Sequence, residues 1–76
     1  MRTGDLLRFF RNVREMSQSE VAIQYGVDRQ TYRRWENNLT QASYEHLEGV
    51  IEGVFQVKLS KAIEIYNYVE RQTTAA

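Results

Sequence analysis

The sequence predicts an all-α domain of five short helices, with the second and third joined by a glycine turn. Three observations support this. The chain contains no proline, the residue least compatible with a helix interior. Its apolar residues recur three and four positions apart instead of alternating, as one-sided helices require. Residues suited to opening and closing helices interrupt that pattern at Ser17, Gly26, Asp28 and Ser43.

The first helix is expected from about Thr3, a candidate N-cap, to Arg14, with Leu6, Phe10 and Val13 inward and Leu7 and Phe9 on its flanks. The second opens at Ser17, where Ser17 and Glu20 make a Ser-x-x-Glu capping box that satisfies orphan backbone donors. Its inward stripe is Val21, Ala22 and Tyr25, and Gly26 stands where the chain needs a left-handed exit. Asp28 is suited to cap the third helix, and its charge complements the dipole there. That helix is expected to end at Asn37-Asn38, because asparagine tolerates the left-handed conformation.

A polar loop from Leu39 to Ala42 leads to Ser43, the expected cap of the fourth helix. This helix is expected to bury Tyr44, Leu47, Val50, Ile51, Val54 and Phe55, to expose Glu45, Glu48 and Glu52, and to carry Gly49 and Gly53 on its outer face. The fifth, about Val57 to Arg71, carries Leu59, Ala62, Ile63, Ile65, Tyr66 and Val69, an apolar arc wide enough to suggest a partner. Tyr66 joins that arc and Tyr68 points nearly opposite. Residues 1–71 are therefore expected to form one domain, and residues 72–76 a frayed tail.

Composition narrows the function. A length of 76 residues suits one core with no separate sensing domain, and a hydrophobic share of 42% excludes a wholly disordered chain. With no cysteine there are no disulfides or thiolate metal sites. No apolar run approaches the ~18 residues needed to span a bilayer, and the charged amphipathic N-terminal stretch is unlike a signal peptide. A cytoplasmic protein without membrane association is expected. His46 has no second histidine to make a ligand set, and the carboxylates at 45, 48 and 52 fall at the spacing of a solubilising helix face. No Ser-His-Asp constellation, phosphate-cradling glycine loop or activated nucleophile is visible. Neither a metal, a cofactor nor an enzymatic activity is expected.

The third helix carries the functional signal. On a helical wheel Arg29, Gln30, Arg33, Arg34 and Asn37 crowd into one arc, while Thr31, Tyr32 and Trp35 point the other way. Guanidinium groups fork onto guanine and carboxamides pair with adenine, so that arc suits a DNA major groove. Tyr32 and Trp35 would anchor the helix to the core. The net charge of zero does not oppose this, because charge is divided along the chain. Residues 1–34 hold seven arginines against four carboxylates, a net +3, and residues 35–76 hold three cations against six glutamates, a net −3. Such a molecule can still present a basic face to phosphate.

The run Met16-Ser17-Gln18, Val21-Ala22, Tyr25-Gly26-Val27-Asp28, Tyr32, Trp35-Glu36-Asn37-Asn38 resembles the helix-turn-helix of the lambda-repressor/Cro-like family, and Leu7-x-x-Phe10-Arg11 resembles its first-helix pattern. The resemblance covers roughly residues 5–60. It implies a five-helix lambda-repressor-like domain whose third helix, residues 29–37, enters the major groove, with dimers on two half-sites. It further implies base reading by Arg29, Gln30, Arg33 and Arg34, and phosphate contacts from Gln18, Asn37, Asn38 and Thr40. Arg11 and Glu36 match a structural pair bridging the first helix to the end of the third.

Three departures stand out: Asn38 replaces a usual glycine, Ile23 replaces a polar residue on the outward side of the second helix, and Gln56 interrupts the usual Leu-Gly-Val ending of the fourth helix, requiring a one-residue adjustment. The expectation is a sequence-specific DNA-binding transcriptional regulator of phage or mobile-element repressor type, acting as a homodimer on a palindromic operator in double-stranded DNA. An antitoxin or restriction-modification controller would share the binding mode. A module that keeps the fold but binds a protein partner instead of DNA is the competing class.

Overall fold

A computed structural model describes residues 2–74, which form five helices. The first, α1, spans Thr3–Val13, α2 spans Gln18–Tyr25 and α3 spans Arg29–Glu36. The fourth, α4, begins as Tyr44–Glu48 and continues without a break as a π-helical segment, Gly49–Val54. The last, α5, spans Leu59–Thr74. No strand is present among the described residues.

Most helix ends form as the sequence predicts. Ser17 and Glu20 exchange the two capping-box hydrogen bonds, Asp28 accepts from the Gln30 N–H at 2.9 Å, and Ser43 accepts from the His46 N–H at 3.2 Å. Thr3 departs from expectation. It is the first helical residue, Arg2 holds the cap position, and no side chain caps the helix. At its other end α5 runs to Thr74, beyond the boundary expected at residue 71, with the Thr73 hydroxyl donating to the Val69 carbonyl at 3.0 Å. Residues 75 and 76 of the expected tail lie outside the described residues.

Each of the first four helices leaves through a residue of positive φ: Glu15 at 54°, Gly26 at 93°, Asn38 at 59° and Gln56 at 59°. After α1, α2 and α3 the next N–H reaches back five residues, from Met16 to Arg11, Val27 to Ala22 and Leu39 to Arg34. This satisfies carbonyls that the helix leaves open. Gln56 therefore holds the left-handed position that glycine fills most readily.

The core gathers Leu6, Leu7 and Phe10 from α1, Val21 and Ala22 from α2, Tyr32 and Trp35 from α3, and Leu47, Val50, Ile51 and Phe55 from the fourth helix, closed by Leu59 and Ala62 of α5. Leu7, expected on a flank, is fully buried, while Val13, expected inward, is 53% exposed. Tyr44 is likewise 70% exposed instead of buried.

Gly49 faces inward, not outward: a Cβ there would meet the Tyr25 ring. Beyond Gly49 the helix widens: the Phe55 N–H bonds to the Val50 carbonyl five residues back and the Val57 N–H to the Ile51 carbonyl six back. A wheel drawn at the α-helical period cannot follow that wider turn.

Candidate nucleic-acid interface

Two helices of similar length and one turn place α3 on the surface. Gly26 ends α2 and Asp28 starts α3, leaving only Val27 between these two positions to reverse the chain. The rear of α3 is then fixed by three buried side chains, Tyr32, Trp35 and Glu36. Trp35 stacks on His46 with ring centres 5.1 Å apart and meets the edges of Tyr25 and Tyr32 at 6.4 Å. The Tyr25 hydroxyl lies 2.8 Å from His46 Nδ1, tying α2 to α4 beneath the same indole.

Glu36 is the one charged residue fully buried among those described. The Arg11 guanidinium grips it with three hydrogen bonds, Nε to Oε2 at 2.8 Å and to Oε1 at 3.1 Å and Nη2 to Oε1 at 2.6 Å, while Arg11 Nη1 donates to the Met16 carbonyl at 2.9 Å. Gln18 adds a bond from Nε2 to Oε1 at 3.2 Å. A second cation, Arg8, brings Nε to 3.6 Å from Oε1. Burial alone would raise the Glu36 carboxyl, but hydrogen bonding, led by Arg11, outweighs it and holds the group below the ordinary glutamate value. Beside it the Tyr32 hydroxyl is buried without a hydrogen-bond partner, and burial, followed by Glu36, pushes its ionisation far upward. The phenol stays neutral.

The front of α3 is the opposite in every respect. Arg29, Gln30, Thr31, Arg33 and Arg34 are all exposed, and their side chains make no hydrogen bond or ion pair with other described residues. Thr31 belongs to this open side and not to the rear, where a helical wheel puts it. The four side chains expected to read bases therefore lie together, free to meet a ligand. Guanidinium and amide groups in that state can fork onto base edges or bind phosphate oxygens.

The expected phosphate contacts are placed less uniformly. Thr40 is exposed. Gln18 spends one amide N–H on Glu36, and its other N–H has no partner among the described residues. Asn37 accepts from Arg8 Nη2 at 2.9 Å. Asn38 is committed to α1 on both sides: its Oδ1 accepts from the Gly4 N–H at 3.0 Å and its Nδ2 donates to Asp5 at 3.1 Å. A Cβ on Gly4 would run into the backbone carbonyls of Trp35 and Glu36, so α1 and the end of α3 approach closely there.

Arg8 is the residue that sequence reasoning missed. Its signal was its place three residues before Arg11, on the same side of α1. Ile23 is 79% exposed on α2.

Among the described residues no group of three or more histidine, aspartate or glutamate side chains converges as a metal site, and no helix is long and apolar enough to cross a membrane. A family model described as helix-turn-helix matches residues 7–61, from the middle of α1 into the start of α5. No curated protein and no solved structure gives a significant match.

Proposed function

The chain belongs to the lambda-repressor/Cro-like helix-turn-helix family of DNA-binding regulators, and from that premise we propose a sequence-specific transcriptional repressor, of phage or mobile-element type, that acts as a homodimer. Residues 1–71 are its DNA-binding domain, and α3 enters the major groove with Arg29 and Gln30 leading and Arg33 and Arg34 alongside. Gln18, Asn37, Asn38 and Thr40 hold the duplex backbone, Asn38 through the second hydrogen of Nδ2, since Asp5 holds the first and the Trp35 carbonyl takes its main-chain N–H. Two protomers read an approximate palindrome with half-sites about 34 Å apart. The site of action is the cytoplasm, on the nucleoid.

One observation carries this reading. The open side of α3 holds three arginines and a glutamine without partners, on a helix whose rear is locked by Trp35 and Glu36. A surface so rigidly held and so uncommitted is suited to a polar, anionic ligand. An antitoxin or restriction-modification controller would use the same face, and the regulated gene separates these from a phage repressor.

Selection of bound duplexes from a random pool tests the proposal. An enriched motif with two-fold symmetry supports a dimeric reader. Binding that never enriches a sequence overturns base readout.

A protein-docking role has one observation in its favour: the net −3 charge of residues 35–76, which repels phosphate wherever it faces a duplex. A salt titration separates the two. A DNA reader loses affinity steeply and log-linearly with salt, whereas a protein adaptor shows no duplex binding to lose.

A further inference from the structure

We infer that Arg8 and the Asn37 amide together hold one backbone phosphate of the bound duplex, a contact that rests on the DNA-reading role proposed above. Arg8 sits on α1, outside the two helices that make the motif, yet its guanidinium reaches the end of α3. Nη2 donates to Asn37 Oδ1 at 2.9 Å and to the Glu36 carbonyl at 3.5 Å, while Nε faces the Glu36 carboxylate at 3.6 Å. The side chain remains 49% exposed. Its Nη1 has no partner among the described residues.

Three consequences follow from that placement. First, charge does not balance at Glu36: Arg8 and Arg11 face that single carboxylate, while Asp5, the other carboxylate at this junction, is held by the Asn38 amide. Arg11 is the inner member, 17% exposed against 49% for Arg8, so the surplus is presented through Arg8. Second, Arg8 orients Asn37. With Oδ1 accepting from Arg8 Nη2, the Asn37 Nδ2 amide and Arg8 Nη1 are left as unpartnered donors on two side chains that a hydrogen bond already joins. Two such donors, one of them charged, match the oxygens of one phosphate.

Third, a phosphate near Asn37 meets the carbonyl end of α3, which repels anions through the helix dipole. Arg8 lies against the last of those carbonyls, at Glu36, and reverses the local sign. Without it, the loop after α3 would be a poor place for a duplex backbone to rest.

The full chain would be titrated onto its selected operator and onto random duplex over a range of salt, as wild type, R8Q and R8K. R8Q is expected to weaken both duplexes by about tenfold and to lower the log-log salt slope by about one per protomer. R8K keeps the charge and therefore the slope. Duplexes carrying one neutral methylphosphonate at a time locate the contact: at one position neutralisation weakens the wild type by about tenfold and leaves R8Q unaffected.

A drop in melting temperature with an unchanged slope would make Arg8 a structural tie only, and would overturn the inference while leaving base reading intact. If the wild type shows no salt-dependent binding to any duplex, the proposed function falls and this contact with it. Should R8Q fail to fold, R8K carries the test, since loss of the fork must weaken operator and random duplex alike, and equal affinities overturn the inference.

Discussion

The two sides of α3 differ in how far each side chain is committed. On the rear, Trp35 touches three rings and Glu36 receives hydrogen bonds from both α1 and α2. On the front, Arg29, Gln30, Arg33 and Arg34 touch nothing that would hold them in one rotamer. The helix is thus positioned by one set of residues, and under the proposed function it would read with another. A change on the rear would then alter where the helix lies, and a change on the front only what it recognises.

The largest test strikes the rear. Glu36→Ala leaves the partly buried Arg11 guanidinium without its counter-charge, a loss of about 3–5 kcal/mol in stability. Denaturant unfolding measures it. Arg11→Met combined with Glu36→Met should cost clearly less than the two single changes added together, because no unpaired charge is left behind. If the costs simply add, the pair does not act as a unit and the division between the sides weakens.

Gly4→Ala breaks the same frame from outside α3. Its Cβ would strike carbonyls at the end of α3, so unfolding should become easier by about 1–3 kcal/mol. The front should behave in the reverse manner. Arg34→Ala or Gln30→Ala is expected to cost about 1–3 kcal/mol on the selected operator and to relax preference at one base pair. Melting should stay within about 0.5 kcal/mol of the wild type. Equal losses on operator and random duplex would remove that residue from base reading.

Acid sharpens the contrast further. The folded Glu36 carboxyl lies below its ordinary value of 4.5, so its stabilising contribution is complete above that pH and is lost as pH falls through the lower folded value. Unfolding curves between neutral pH and pH 3 should show this loss, and Glu36→Gln should remove that part of the pH dependence. The smallest effect is expected far from both sides. Gln56→Gly relieves a left-handed backbone position and should add about 0.5–1 kcal/mol of stability, read from the thermal midpoint.

The same division explains what the sequence disclosed. Caps at Ser17, Asp28 and Ser43, the exit at Gly26, and the buried Tyr32 and Trp35 all follow from local chemistry repeated at the α-helical period. Gly49 was misplaced because what covers it is the Tyr25 ring of α2, a neighbour distant in sequence. Tyr44 opens the fourth helix and is left exposed there. Val13 is misplaced for a simpler reason: it closes α1, past the last point where the core covers that helix. In the site, the open arginines were legible from a wheel because nothing else in the fold claims them. Arg8 was not, since its partners at residues 36 and 37 are distant in sequence and its spacing from Arg11 does not name them. The commitment of Asn38 to Gly4 and Asp5 was hidden for the same reason.

Trp35 is the single tryptophan of the chain, and it lies on the rear of α3, stacked on an imidazole and 7% exposed. Its emission therefore reports the seating of α3 without any attached dye. Duplex binding that leaves the frame rigid should hardly alter the spectrum, whereas dislodging the helix should shift it toward that of a solvated indole. The molecule carries its own optical gauge, and it sits where it will not interfere with the reading surface.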